Sequence, residues 1–546
     1  MPEKPFRKIP NWLAAALIAL FVLILLLTTN PDIGVTWDEP AYINASESYS
    51  TWVIEFFKKP AQMIKQESID QYWAVGREHP PLDKVWSGLI WQAARHFTDD
   101  LTAHRLGNMI LSAALAGLLY LLIAENYGWR AGLFSAAFLI SLPRFFFHMH
   151  LAALGVPAAA MIFATVFVFW KTKDNPDWKS VLALGTVWGL AVATKVNGVF
   201  VMPALFVWVW FFKYQRRMFL YLLFASLVAF VVFVLTWPWL YYQTGSRIWA
   251  YVLMITVEHI KLAQFYLHKL HIPPPWHFAT VMFVAVTPLA MLLSWIVGII
   301  RSVRERKSNT LGFLFLINAI FPIFMVSIGV SSVFDNERLF MPAFIFVAGL
   351  AGIGLDCALS HFQGWLSRII KTKLILPITA AALILAFLPQ MISAARLYPH
   401  LLSYYSASVG GLPGATEFGL ETTYWCETYT EGLEYLNQHA EAGDVVWVDP
   451  FSHDVLFYYM KLGRLRDDLY ISAHPQAGSQ VYKENAPMAD MSYQEADFIF
   501  LQYRQSSTTY LGWAYPILAW LEDKTPVLQI SHQSIPLFEV YHFPDN

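Results

Sequence analysis

Residues 12–28 read WLAAALIALFVLILLLT, with no charged side chain among them, and Lys4, Arg7 and Lys8 just ahead. A run of that length is close to what a helix needs to cross the hydrocarbon core of a bilayer. A basic start and an apolar block resemble a signal peptide. The block is long for one, however, lacks a small-x-small cleavage site and is followed by many similar blocks, so it reads as a retained first helix.

Outward from it, the 546-residue chain is 57% hydrophobic and only 14% charged. Soluble proteins carry roughly a quarter charged residues. The apolar excess is gathered into blocks, and eleven spans fit best: 11–30, 103–124, 131–147, 156–170, 181–194, 197–212, 218–241, 278–300, 310–330, 339–355 and 374–395. If the N-terminus is cytosolic, the short cytosolic loops hold Lys171, Lys173 and Lys179; Lys213, Arg216 and Arg217; Arg301, Arg304, Arg306 and Lys307; and Arg368, Lys371 and Lys373. The opposite loops are mostly poorer in positive charge, as the positive-inside rule requires. An odd number of spans then puts the tail outside. A net charge of −2 gives no basic field for nucleic acid. The two cysteines, Cys357 and Cys426, fall on opposite sides in this topology and do not form a disulfide framework.

The expected architecture is a polytopic all-α membrane domain, residues 1–395, and a C-terminal α/β domain, residues 396–546, on the outer side. In that tail Val445-Val446-Trp447-Val448 and Phe498-Ile499-Phe500-Leu501 read as strands, and Glu431 to Ala440 as a helix. The first outer loop, residues 31–102, holds two amphipathic stretches. After Thr36-Trp37-Asp38-Glu39-Pro40, apolar residues recur at Ala45, Tyr49, Trp52, Val53 and Phe56. After Arg77-Glu78-His79-Pro80-Pro81-Leu82-Asp83-Lys84 they recur at Leu82, Trp86, Leu89, Ile90, Ala93 and Phe97. Both suit helices lying on the membrane surface. Asp38 or Glu39 before Pro40 is also what a simple helix cap looks like, so cap and catalyst both stand for these carboxylates.

Taken together, these motifs resemble the protein O-mannosyltransferase-like family, a glycosyltransferase family 39-like group within the GT-C membrane glycosyltransferases that use polyprenyl-phosphate sugars, which also include the lipid A aminoarabinose transferase. Further matches follow in order. They are Pro143-Arg144-Phe145-Phe146-Phe147-His148; Gly189-Leu190-Ala191 with Thr194-Lys195-Val196-Asn197-Gly198; Pro273-Pro274-Pro275-Trp276-His277; Glu337-Arg338-Leu339-Phe340-Met341-Pro342; and Leu402-Ser403-Tyr404-Tyr405 with Gly410-Gly411 and Tyr424-Trp425. The chain departs from the pattern where many relatives carry an acidic residue before the fourth span: here that position is Gly155. The resemblance implies a GT-C fold, and an inverting transfer of a hexosyl, mannosyl-type sugar from a polyprenyl-phosphate donor to an acceptor hydroxyl of a protein, glycolipid or glycan. From the tail type it implies a bacterial inner membrane with the active site outside the cytosol.

Such a reaction needs little machinery. The lipid phosphate is a good leaving group and asks only for positive charge as it departs. The acceptor hydroxyl needs a base within hydrogen-bond reach. The resemblance makes Asp38 the candidate base, with Glu39 as a partner that orients the acceptor. Arg338, with its planar fork of donors, is the candidate phosphate ligand, or else an interface anchor at a helix end. Lys195 interrupts an apolar stretch and is a second phosphate candidate, or a lysine reaching the outer surface. His79 and Glu78, in the turn between the amphipathic stretches, and Arg144 and His148 complete the substrate-site candidates. No cofactor is expected beyond the lipid-linked donor. No metal is expected either: His148 and His150, and His268, His271 and His277, have no zinc-like spacing. A lipid-linked-sugar flippase or a non-catalytic glycan-assembly protein are the rival functions. Flippases usually place charge at the midplane in two related halves, whereas here it gathers at one rim.

Overall fold

The computed structural model describes residues 9–258, 262–329, 335–450, 452–473, 481, 487–508 and 514–544. The described part of each apolar block is mostly helical, and Val330, the end of the block 310–330, lies outside the described residues. Among the described residues six helices are long and apolar enough to cross a membrane, or seven if one bent pair is a single span, against the eleven spans expected from the sequence; α1 (Asn11–Thr29) is one of them. Between α1 and the next long helix, the first outer loop supplies α2 (Glu39–Lys58) and α3 (Leu82–Ala94). The long helix α4 (Asp100–Tyr127) is followed by α5 (Trp129–Ile140) and short α6 (Pro143–His148), so the block at 131–147 is broken at Ser141-Leu142. Then come α7 (Gly155–Thr172), α8 (Trp178–Thr194), α9 (Val201–Phe212) and α10 (Arg216–Leu235). The block at 278–300 is a pair, α11 (Phe278–Val286) and α12 (Leu289–Arg304), bent by 114° at Thr287-Pro288. Proline there has no N–H to give and crowds the preceding turn. The last three are α13 (Leu311–Ser327), α14 (Pro342–Leu366) and α15 (Thr372–Leu397).

α14 is the central post. Over its most apolar window 78% of residues are buried, against 17% for α1 and 11% for α15 at the edge. It packs closely on α12 and α5. At the α12 crossing a Cβ on Gly354 would lie 1.9 Å from the Ser294 carbonyl oxygen, and one on Gly298 2.0 Å from that of Leu350. In lipid, where apolar surface alone does not drive helices together, such close backbone approach supplies the packing energy.

The two outer-loop helices bury opposite kinds of face. α2 turns Tyr42, Ile43, Ala45, Tyr49 and Trp52 into the protein, so the apolar stripe of the sequence meets protein rather than lipid. α3 corrects the expectation more sharply. Its inward face is Asp83, Lys84, Ser87, Gly88 and Trp91, while Leu82, Trp86, Leu89 and Ile90 are partly exposed and the Phe97 beyond it is 89% exposed. Ser87 Oγ donates to the His104 carbonyl, and Gly88 lies so close to α2 that a Cβ would sit 2.2 Å from the Ser46 carbonyl oxygen.

The tail forms a five-stranded mixed sheet, after a hairpin of β1 (Gln264–Tyr266) and β2 (Lys269–His271) earlier in the chain. Its strands are β3 (Val445–Asp449), β4 (Tyr470–Ser472), β5 (Phe498–Gln502), β6 (Leu528–His532) and β7 (Ile535–His542), in the order β4-β3-β5-β7-β6. β3 runs parallel to β4 and β5, and β7 antiparallel to β5 and β6. The predicted helix is α16 (Leu433–His439), preceded by a 3₁₀ turn, and α17 (His453–Lys461) follows β3. The sheet domain is not held apart from the membrane half. Val35, Ile43, Leu101 and Ala152 share one apolar cluster with Val446, Phe500 and Phe538. Residues Leu401 to Trp425 pack into the cluster of the membrane helices. A Cβ on Gly34 would lie 2.1 Å from the Glu427 carbonyl oxygen, so the loop before Asp38 seats directly on the tail.

Candidate functional site

Two of the charged residues singled out in the sequence, Asp38 and Arg338, meet where the first outer loop, the turn before α14 and the tail come together. Asp38 stands at the N-cap position of α2, yet its side chain makes no capping hydrogen bond. Instead Arg338 Nη2 donates to Asp38 Oδ2 at 2.7 Å. The Tyr42 hydroxyl lies 3.5 Å from the same oxygen. The local turn is held by Glu39, whose Oε2 accepts from the Thr36 N–H at 2.9 Å and the Thr36 hydroxyl at 3.1 Å. The Asp38 side chain remains 27% exposed.

Arg338 is fixed on three sides. Its guanidinium lies 3.8 Å from the centroid of the Trp425 ring, Nη1 donates to Asp335 Oδ2, and Nη2 reaches Asp38. Asp335 also accepts from Trp425 Nε1 at 3.0 Å and from Arg504 Nη2 at 2.6 Å. Burial alone would raise the Asp335 carboxyl; the guanidinium of Arg504, then that of Arg338, outweighs it and holds it below the usual carboxylate range. Asp335 and Asn336 both have positive φ, 54° and 55°, and so do Trp425 and Cys426, at 74° and 61°. Non-glycine residues in this region each store of order 1–3 kcal/mol of strain and gather at functional sites. Here one such pair meets another: the Asp335 carboxylate bonds the Trp425 indole.

Lys195 sits where α8 ends, before a 3₁₀ turn, Val196–Phe200. It is buried, and among the described residues no hydrogen bond or ion pair engages its ammonium; its electrostatic neighbours are Arg338, Asp38 and Asp335. A mainly apolar groove lined by Ile162, Phe200, Phe321, Leu339 and Pro342, with Asn197 and Asn318 as its polar members, lies among α7, α9, α13 and the start of α14, next in sequence to Lys195 and Arg338 but lined by neither.

Glu39 lies elsewhere than the sequence reading placed it. It is wholly buried; both carboxylate oxygens take hydrogen bonds from Arg105, at 2.8 and 2.7 Å, and Oε1 accepts the Ala152 N–H at 3.0 Å. Burial alone would raise this carboxyl, but Arg105 and the backbone donors more than reverse it. Such a carboxylate has no face left for an acceptor. Arg144 and His148 form a second layer. Arg144 Nη1 donates to Glu337 Oε2 at 2.8 Å, the Tyr424 hydroxyl donates to Glu337 Oε1 at 2.9 Å, and His148 Nε2 lies 3.2 Å from that hydroxyl and edge-on to Trp425. Both support the wall behind Arg338 rather than face outward. The His79 ring stands 6.1 Å from that of Tyr42, and Glu78 is exposed, 4.0 Å from Lys84. Gly155 opens α7, and a Cβ there would meet the sulfur of Met341 at 3.2 Å, just beyond the Arg338 turn.

Three contributors escaped the sequence reading. Arg105 had a visible signal, a charge inside the apolar block 103–124. Trp425 was part of a quoted motif with no role attached. Arg504 had none: Gln-Tyr-Arg-Gln-Ser-Ser says nothing of a partner in the membrane half.

Residues 78–242 match the family model described as dolichyl-phosphate-mannose-protein mannosyltransferase. No curated protein sequence matches the chain. Among solved structures, ArnT from Cupriavidus metallidurans bound to undecaprenyl phosphate aligns over 97% of both chains at 14% identity, with a TM-score of 0.51. The apo oligosaccharyltransferase of Archaeoglobus fulgidus aligns over 94% of this chain and 72% of its own at 12% identity, also with a TM-score of 0.51. The resemblance seen in the sequence is borne out at this level: the chain has the fold of the GT-C superfamily of glycosyltransferases.

Proposed function

We propose that this GT-C chain moves a sugar from a polyprenyl-phosphate donor to an acceptor hydroxyl on the outer face of the membrane. The observation that carries the reading is the contact of Asp38 with Arg338 at 2.7 Å, with the Lys195 ammonium, unpaired among the described residues, within electrostatic reach of both. A base and two cations are the minimum that the transfer needs, and the mainly apolar groove lined by Phe200, Phe321, Leu339 and Pro342, neighbours in sequence of Lys195 and Arg338, is where we place the lipid tail.

In this reading the donor phosphate settles against Lys195 and Arg338. Arg338 keeps its bond to Asp335 and its stacking on Trp425, so it stays aimed while its edge toward Asp38 is shared with substrate. Asp38 takes the proton of the acceptor hydroxyl as the new carbon–oxygen bond forms at the anomeric carbon and the bond to the phosphate oxygen breaks. The polyprenyl phosphate leaves with the electron pair, its added charge met by the two cations. A single displacement inverts the anomeric centre. The structurally similar ArnT, which binds undecaprenyl phosphate, supports a lipid-phosphate donor, and the matched family model supports a mannosyl-type sugar. Glu39 is set apart from the chemistry here, as the counter-ion that fixes the loop.

The proposal extends to location, a bacterial inner membrane with the 31–102 loop and the 396–546 tail outside the cytosol. Reporter fusions after residues 175, 215 and 305 are expected to report cytosol, and one after 420 the outer side. Transfer from a panel of polyprenyl-phosphate sugars by the purified protein tests the activity itself. A protein that flips such lipids between leaflets without breaking the sugar–phosphate bond would overturn it.

A further inference from the structure

We infer that Glu47, Asp100 and His104 form a divalent-cation site of zinc type, on the far side of α2 from the Asp38–Arg338 pair. Glu47 lies nine residues, about two and a half turns, along α2 from Asp38 and so on its opposite face; Asp100 and His104 are one turn apart on the same face of α4. His104 Nε2 is 3.4 Å from Glu47 Oε1 and 3.9 Å from Asp100 Oδ2. All three donor atoms lie within 4.8 Å of one another. Metal–ligand bonds of about 2.1 Å in a tetrahedral site put donors about 3.4 Å apart, so the cluster needs only small adjustments.

The tautomer of His104 strengthens the case. The Ser46 hydroxyl spends its one proton on the Ile43 carbonyl at 2.8 Å, so at its 3.3 Å contact with His104 Nδ1 it accepts. Nδ1 therefore carries a hydrogen, and wherever Nε2 carries none its lone pair points at two carboxylates. Three acceptors so placed repel unless a proton or a cation lies between them, and the metal ion is the cation we infer. His104 is 0% exposed, and Nε2 finds no partner in hydrogen-bond geometry. The ring is also held in place, stacked 4.7 Å from Trp91, whose Nε1 donates to Asp100 Oδ1 at 2.7 Å and turns Oδ2 inward. Such outer partners orient ligands in metal sites.

Two neighbours compete. Lys461 Nζ donates to Glu47 Oε1 at 2.7 Å, and the Tyr458 hydroxyl lies 3.3 Å from Asp100 Oδ2. The Lys461 side chain is 44% exposed and free to swing into solvent. An open cleft lined by Glu47, Asp99, Asp100, Lys461 and Arg464 gives the ion its way in. One imidazole and two carboxylates suit a borderline ion such as Zn²⁺ or Co²⁺ over Mg²⁺ or Ca²⁺, which prefer all-oxygen shells. His104 was passed over in the sequence because it lies within an apolar block, apart from the other histidines.

The test uses the full-length protein in nanodiscs, titrated with Zn²⁺ or Co²⁺. We expect one equivalent to bind, with d–d bands for cobalt, and no comparable binding of Mg²⁺. Glu47→Gln and His104→Asn should each weaken binding at least tenfold, and Lys461→Gln should tighten it a few-fold by removing the competitor. Zn²⁺ should raise the Tm of the parent protein and not of Glu47→Gln, because an ion bound only to the native state stabilises it by mass action. Should His104→Asn fail to fold, the Glu47 and Lys461 variants still decide. No saturable equivalent, or equal binding by the parent and Glu47→Gln, would overturn the inference and leave His104 a protonated partner of the two carboxylates.

Discussion

Asp38 and Glu39 are adjacent in the chain, each is paired with an arginine, and they end in opposite surroundings. Asp38 meets Arg338 at 2.7 Å with its carboxylate partly open. Glu39 meets Arg105 with both side chains fully buried. Asp83 is a third case: buried, with one weak hydrogen bond from Asn108 at 3.4 Å and no arginine, its carboxyl is pushed up by burial to about 7. Pairing alone therefore does not mark a catalytic carboxylate. Exposure of one face, held toward a second cation, separates Asp38 from the other two.

The sharpest way to break the comparison is Arg338. Arg338→Ala should abolish transfer while the protein still inserts and folds, since Asp335 keeps Arg504 and Trp425. Arg338→Lys should rescue only in part, because a point charge cannot hold two carboxylates and a phosphate as the fork does. Full activity of the alanine variant would reduce Arg338 to an anchor.

Asp38→Asn comes next. The side chain makes no cap bond, so the loss of charge should leave the helix and the Tm nearly unchanged. Turnover should fall on the order of 10² to 10⁴-fold, the usual share of a general base. A stable, fully active Asn variant would sink the mechanism, and Glu78, exposed across the turn, would be the first replacement to try; Asp335 is tied down by two arginines.

Glu39→Ala should fail differently. Removing one partner of a buried ion pair costs about 3–5 kcal/mol, because Arg105 is left as an uncompensated charge. Thermal unfolding should register that loss, while turnover per folded molecule falls less than for Asp38→Asn. The reverse pattern, a stable but inactive Glu39→Gln protein, would restore Glu39 to the chemistry.

The smallest effect is in pH dependence. The Asp83 carboxyl lies above its unfolded value, so the native state holds the extra proton between about pH 4 and pH 7. Its contribution to stability therefore declines as pH rises through that window and is flat above it. The Tm of Asp83→Asn should fall less over pH 4–7 than that of the parent. Parallel curves would show that Asp83 finds a partner that the native contacts do not supply.

The membrane half was largely legible because its driving pattern is local: blocks of apolar residues become helices wherever they fall. So too were the strands Val445–Asp449 and Phe498–Gln502, each a short run of β-branched and aromatic residues. The helix α3 was read in the wrong sense. Amphipathicity assigns two faces but not which one meets protein, and Gly88 and Ser87 let the polar face pack closely on α2 and α4. The site was half visible. Asp38, Arg338 and Lys195 stand out as charges at the ends of apolar blocks, but nothing local to Glu39 tells that Arg105 will seal it. Still less does the sequence around Arg504 reveal a partner at Asp335, since only the folded chain makes that contact.

That contact between Arg504 and Asp335 also sets an order of manufacture. A ribosome makes Arg504 about 470 residues after Asp38, and at roughly 5–20 residues per second the interval is on the order of a minute. Asp335 and Arg338 come only in its last third, and from then on they exist for roughly 8–35 seconds without the arginine and for about half of that without the Trp425 that holds them. A prematurely ended chain would leave the ribosome with its helices complete and its charged centre unfinished. The charged centre is thus assembled only once Arg504 has been made, which makes the tail a checkpoint on the membrane half.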